Sequence, residues 1–194
     1  MKRRVRSPPA HQHGALLIEV LIAVLICAFG LLGFAGMQVR ATSAEFEAYQ
    51  RSQALLLVED MTNRINANRA QAAAYVTGGL LGDGAVVDCS GIAGAALDLC
   101  EWSNLIRGST ETRAGSRVGS MISARGCISR PATSSDRYMV SVVWQGIVPT
   151  AAPANPCGDG DAAFQTAALR RTASSTVCIA LLRDADVAPV VPRC

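Results

Sequence analysis

Apolar residues are spread unevenly along this chain. Residues 15–37 hold 19 apolar positions in 23, interrupted only by Glu19, Gly30, Gly33 and Gly36. As a helix this run covers about 34 Å, enough for the hydrocarbon core of a bilayer. Beyond it the pattern turns periodic. No Pro or Gly occurs from Gln38 to Tyr75, and Phe46, Tyr49, Leu55, Val58, Met61, Ile65 and Ala72 recur at near three-four spacing. That is the apolar stripe of an amphipathic helix. Glu45, Glu47, Arg51, Glu59, Arg64 and Arg69 occupy much of the rest. The pattern predicts one helix from Ala15 to about Tyr75, about 90 Å long, stopped by Thr77-Gly78-Gly79.

Residues 76–96 are rich in Gly and Ala and read as a loop. A short helix follows around Leu97–Arg107, with Leu97, Cys100, Leu105 and Ile106 available for burial and Trp102 as a core or capping aromatic. Residues 108–120 are rich in Ser, Gly and Arg, again a loop. Three strands are predicted after it. Gly126–Ser129 is short. Residues 138–145 alternate, with Tyr138, Val140, Val142 and Trp144 on one face. Residues 176–182 are apolar on both faces, as in a central strand. The intervening loop carries Pro149, Pro153, Pro156 and Cys157. A loop of that length is usually functional or stapled. Its Asp159-Gly160-Asp161 is too poor in carboxylates, and lacks the terminal Glu, for an EF-hand calcium loop.

Composition changes this picture chiefly through its asymmetry. The chain has 194 residues, of which 50% are hydrophobic and 17% charged, with a formal charge of +3. Four cations and no acid lie in residues 1–14 (Lys2, Arg3, Arg4, Arg6), so residues 15–194 carry +3 − 4 = −1. The basicity belongs to the first 14 residues and gives no ground for a nucleic-acid partner. His11, His13 and Lys2, the only His and Lys, also lie there. Without that segment the chain cannot use a Ser-His-Asp triad, a Cys-His pair, a His metal site or a P-loop lysine. No spacing nominates a nucleophile and base. No catalytic residue, metal site or cofactor is therefore expected.

Cys27 sits within the apolar run. Cys89, Cys100, Cys127, Cys157, Cys178 and Cys194 lie in the C-terminal two-thirds, with no C-x-x-C among them. Zinc modules need close pairs, so an oxidised disulfide framework fits better, and six cysteines allow 15 pairings. Orientation points the same way. Cations precede the apolar run and only Arg40 follows it closely, which places the N-terminus in the cytoplasm and the remainder across the membrane. Glu19 stands out, because a carboxylate in a spanning helix costs about 2.5–3.5 kcal/mol and usually has a partner.

Gly14-Ala15-Leu16-Leu17-Ile18-Glu19, directly after the basic leader, resembles the class III signal of type IV prepilins. The resemblance implies cleavage after Gly14 by a prepilin peptidase, N-methylation of Ala15, and pairing of Glu19 with the amine of a neighbouring subunit. The family usually carries Phe then Ser or Thr at the first two mature positions, where this chain has Ala15 and Leu16. Gly30, Gly33 and Gly36 fit either a locally flexible stretch or a small-residue packing face. Gly126-Cys127-Ile128, Tyr138 to Gly146 and Arg170-Arg171 are similar to the PilV group of minor pilins. That implies an α+β pilin fold, a long N-terminal helix packed on a small antiparallel β-sheet. It also implies disulfides Cys89–Cys100, Cys127–Cys178 and Cys157–Cys194.

The organisation expected is a leader over 1–14, a transmembrane and assembly helix over 15–37, its amphipathic continuation over 38–75, and a stapled globular domain over 76–194. The resemblance implies a structural subunit promoting pilus assembly and twitching motility. It would sit in the inner membrane with its C-terminal domain periplasmic, and later in the pilus. Its partners would be other minor and major pilins, the inner-membrane assembly platform and an adhesin at the tip. The alternatives are a minor pseudopilin of a type II secretion system, a membrane-tethered periplasmic enzyme, and an adhesin or DNA-uptake subunit. In that last reading Arg107, Arg113, Arg117, Arg125 and Arg130 would contact phosphate.

Overall fold

A computed structural model describes residues 13–108, 112–113, 116–117, 121–132 and 136–179. The chain divides into two compact units, residues 1–45 and 46–194. Helix α1 spans His13–Ala67. It is followed by a 3-10 segment, Arg69–Tyr75. Helix α2 spans Ala95–Ile106. Strands β1 (Thr112–Arg113) and β2 (Ser116–Arg117) form a small antiparallel hairpin within the stretch expected to be loop. Strands β3 (Arg125–Ser129), β4 (Arg137–Gln145) and β5 (Arg170–Cys178) form an antiparallel sheet in the order β3-β4-β5. A long N-terminal helix with a small antiparallel sheet is the expected α+β pilin arrangement.

The α-helix ends at Ala67 rather than near Tyr75. Asn68 leaves helical geometry (φ −114°, ψ 44°), and the tighter turns that follow bury Ala72 and Tyr75. Asn68 Nδ2 donates to the Tyr75 hydroxyl (3.2 Å), which itself donates to Asp98 of α2. Without proline or glycine to mark it, this change of pitch has no local signature.

The buried stripe of α1 is Gln50, Ala54, Val58, Met61 and Ile65. Phe46, Tyr49 and Leu55, expected in the stripe, are exposed. Spacing alone fits two adjacent stripes here, and the sheet selects the one with smaller side chains. Against it pack Tyr138, Val140, Val142 and Trp144 from β4, with Ala173 and Val177 from β5. Trp102 is fully buried, and its Nε1 donates to Leu57 O (2.8 Å), tying α2 to α1. Gly126 makes this packing fit: a Cβ there would lie 2.5 Å from Ile106 Cδ1 and from the Trp102 ring.

β5 begins at Arg170, not at Thr176, and lies at the end of the sheet order. The stretch Arg-Arg-Thr-Ala-Ser-Ser shows no apolar alternation. Its strand form comes from nine residues paired with β4, from Gln145↔Arg170 to Arg137↔Cys178. The central strand is β4, and both its faces are covered. Val143, on the face away from α1, packs with Cys157 and Phe164 of the 146–169 loop. The outer edge of β3 is occupied as well. Leu81 and Gly126 exchange backbone hydrogen bonds (2.9 Å each), and Thr77 N–H donates to Ile128 O (2.9 Å).

Cys89 is bonded to Cys100, and Cys127 to Cys157. The Cys127–Cys178 and Cys157–Cys194 pairings implied by resemblance are therefore corrected. β4 lies between the strands carrying Cys127 and Cys178. Two strand spacings are about 9–10 Å, beyond the Cα reach of a disulfide. Cys178 is disulfide-bonded too, and Cys194 lies outside the described residues.

Candidate functional site

The feature that solvent would least tolerate is the first part of α1. Fourteen large apolar side chains between Leu17 and Val39 are exposed, each by 49–75%. They point in all directions round the helix, as a lipid- or protein-embedded helix requires. An 18-residue window within α1 reaches a mean hydropathy of 2.7 with none of it buried. Glu19 is exposed within this surface. Gly14 and Ala15 fall in the first turn of α1. Gly30, Gly33 and Gly36 are helical, and a Cβ on any of them would meet nothing within 4 Å. Nothing among the described residues therefore demands glycine at those positions. Cys27 is a free, exposed thiol in the same stretch.

Two polar clasps tie the amphipathic part of α1 to its domain. At Glu47, Oε1 accepts from Ile147 N (3.0 Å), Val148 N (3.2 Å) and Arg171 Nη2 (3.2 Å). Arg171 also donates to Thr150 Oγ1 (2.8 Å), Ala168 O (3.2 Å) and Val148 O. Gly146 lets Arg171 lie over this turn, since a Cβ would sit 2.7 Å from the guanidinium carbon. Partial burial opposes the charge on Glu47. The N–H groups of Val148 and Ile147 and the Arg171 cation outweigh it and hold the carboxyl below the usual range.

Seventeen residues along α1, Arg64 meets Asp60 (3.0 Å), Asp98 (3.0 Å) and Glu101 (2.7 Å). Asp98 also accepts from Tyr75, whose hydroxyl is pushed above its ordinary value by burial and by that hydrogen bond. A third cation, Arg170, is 4% exposed and organises the long loop. It donates to Asn155 O (2.5 Å), Cys157 O (2.7 Å) and Pro153 O (3.3 Å), and pairs with Asp159 (3.3 Å). Arg170 and Arg171 were visible in the sequence only as a doublet. Their roles depend on contacts across the sheet that no local spacing records.

Of the arginines proposed for phosphate, the structure brings Arg107 and Arg125 together, since both engage Asp83. Arg125 pairs with Asp83 (3.0 Å) and Asp161 (3.2 Å), and Arg107 donates to Asn104 Oδ1 (2.8 Å) and Asp83 O. Arg130 is exposed, and the side chains of Arg113 and Arg117 lie outside the described residues. Asp159 and Asp161 are each engaged by an arginine.

Residues 36–79 match a family described as Tt1218-like, type IV pilin Tt1218. The match covers the amphipathic part of α1, the 3-10 segment and the first residues of the following loop. That part of the chain is similar to a type IV pilin, a structural subunit. No curated protein and no solved structure matches the chain.

Proposed function

We propose that this chain is a minor pilin of the PilV type, a structural subunit that promotes assembly at the tip of a type IV pilus. The observation that carries the reading is the apolar helix from Leu17 to Val39, exposed along its whole length, joined to a stretch similar to type IV pilins. Residues 1–14 are the leader removed by prepilin peptidase, 15–37 the membrane and assembly helix, 38–75 its continuation, and 76–194 the globular domain. Before assembly the subunit crosses the inner membrane once, with its N-terminus cytoplasmic and its domain periplasmic. It then joins other minor and major pilins at the assembly platform, beneath a tip adhesin.

Cleavage at Gly14 leaves an amine on Ala15, four residues before Glu19. A buried carboxylate is costly alone and tolerated when paired. Glu19 taking the amine of a neighbouring subunit therefore sets the register between helices, while the three glycines let the helix adapt.

Mass spectrometry of the mature protein tests processing: a methylated Ala15 is expected, and a start at Gly36 would indicate an ordinary secretory signal. Glu19→Ala should insert normally but fail to enter pili; normal incorporation refutes the role. Deleting the gene while scoring piliation, twitching and secretion separates the pilus reading from a type II pseudopilin. Lost piliation with intact secretion supports the former, and the reverse pattern the latter.

A further inference from the structure

The chain contains two Asp–Gly steps, Asp83-Gly84 and Asp159-Gly160. At such a step the next amide nitrogen can close on the aspartyl carboxyl, because glycine has no Cβ to obstruct it. Closure needs that nitrogen held against the carboxyl. Among the described residues, Asp83 alone shows this contact with the amide that follows it: Gly84 N donates to Asp83 Oδ1 at 2.9 Å. Asp88, Asn155 and Asp161 each accept from the amide two residues on, which lies too far along the chain for a succinimide ring. The carboxyl of Asp159 is turned to Arg170 Nη2 (3.3 Å).

Two arginines fix that approach. Arg125 Nη2 holds the same Oδ1 (3.0 Å). Arg107 Nε donates to the main-chain Asp83 O (2.8 Å), and Arg107 Nη2 donates to it as well. Asp83 is thus gripped at both its carboxyl and its carbonyl, while its side chain stays 74% exposed to the water that the reaction needs. Gly84 has φ +70°, and a Cβ there would meet nothing within 4 Å, so the space round the forming ring is open. Holding the reacting atoms in contact in this way removes much of the entropy cost of ring closure.

We infer that Asp83-Gly84 is a site of spontaneous aspartate isomerisation, in which the charged partner passes from Arg125 to Arg107. Gly84 N bonds to Asp83 Cγ and gives up its proton. One carboxyl oxygen leaves as water, carrying that proton and one from solvent. The succinimide then adds water at the former main-chain carbonyl carbon, and the C–N bond there breaks. Gly84 N regains a proton and one proton returns to solvent. Nothing is oxidised or reduced, and water is the one reagent. The main chain now runs through Cγ, and the old Asp83 carbonyl has become the free carboxylate. Arg107 already donates to that oxygen through Nε and Nη2, so it gains a forked ion pair that favours this product. Arg125 loses its charged partner at Asp83 and keeps Asp161 (3.2 Å). The Asp83–Arg125–Asp161 bridge, which links the 76–94 loop to the 146–169 loop, is thereby cut at one end.

The test follows the full chain in detergent at neutral pH over weeks. Isoaspartate is labelled with protein isoaspartyl methyltransferase and methyl-labelled S-adenosylmethionine, and tandem mass spectrometry locates the bond. Asp159-Gly160 serves as the reference within the same molecule. In the folded chain isoaspartate should form at Asp83 about tenfold faster than at Asp159, and in urea the two steps should react at similar rates. Asp83→Glu, which keeps the carboxylate but cannot close the same ring, should abolish the label at this step. Equal rates at the two steps of the folded chain, or a faster rate at Asp159, overturn the site. Arg107→Met should lower the isoaspartate fraction of the product at Asp83 to that of the chain in urea. An unchanged fraction overturns the transfer to Arg107 and leaves the site standing. If Arg107→Met unfolds the chain, the two steps react alike, and Arg107→Lys, which keeps the charge but loses the fork, takes its place with the same expected fall.

Discussion

Glu47 collects three donors on one oxygen, and its contribution should therefore depend on pH. Its carboxyl titrates below the ordinary 4.5 in the folded chain, so the stabilisation is complete above the unfolded value and is lost as pH falls through the folded one. Glu47→Gln should cost about 1–2 kcal/mol at neutral pH, since hydrogen bonds to a charged group exceed neutral ones but this site is partly wet. Urea unfolding in detergent should show the gap to wild type narrowing below pH 4.5. A gap independent of pH would mean the carboxylate charge plays no part. At Gly126 the expectation is steric. Gly126→Ala drives a methyl into Trp102 and Ile106 and should cost about 1–3 kcal/mol, read as a lower urea midpoint with unchanged slope.

At the scale of elements, α1 was legible because two periodicities meet in it: an unbroken apolar run, then a three-four stripe. Its end was not, because Asn68 is an ordinary residue and the 3-10 segment that follows is held by Tyr75 reaching Asp98, a contact distant in sequence. β4 was legible by alternation and β5 was not, since Arg170 to Ser175 form a strand by pairing with β4. The Arg64 clasp joins α1 to α2 across 34 and 37 residues of sequence. Arg64→Met should leave Asp60, Asp98 and Glu101 facing one another and lower stability by about 1–2 kcal/mol, less at high salt. Trp102 should then become more accessible to quencher, because the same α2 carries it against Leu57.

For the whole molecule, the disulfides determine how the long loops are held. Cys127–Cys157 closes 30 residues and Cys89–Cys100 closes 11. The chain-entropy account gives about 3.6 and about 2.8 kcal/mol. The Cys127→Ser, Cys157→Ser double variant should therefore lose more stability than Cys89→Ser, Cys100→Ser, as compared by urea unfolding of the full chain. The reverse order would show that native contacts, chiefly the Arg170 knot, hold the long loop without its staple.

The sequence by itself determined what depends on near neighbours. The apolar run, the amphipathic stripe, the alternation of β4 and the confinement of His and Lys to the first 14 residues are all local or compositional. Tertiary structure decided whatever depends on strand order. Only with β4 between β3 and β5 is Cys127 out of reach of Cys178 and free to join Cys157. Only with the turn after β4 folded back onto α1 does Glu47 meet Arg171, 124 residues away in sequence. Such contacts carry no periodic trace, because their residues are selected by a position in space that the chain reaches by a long path.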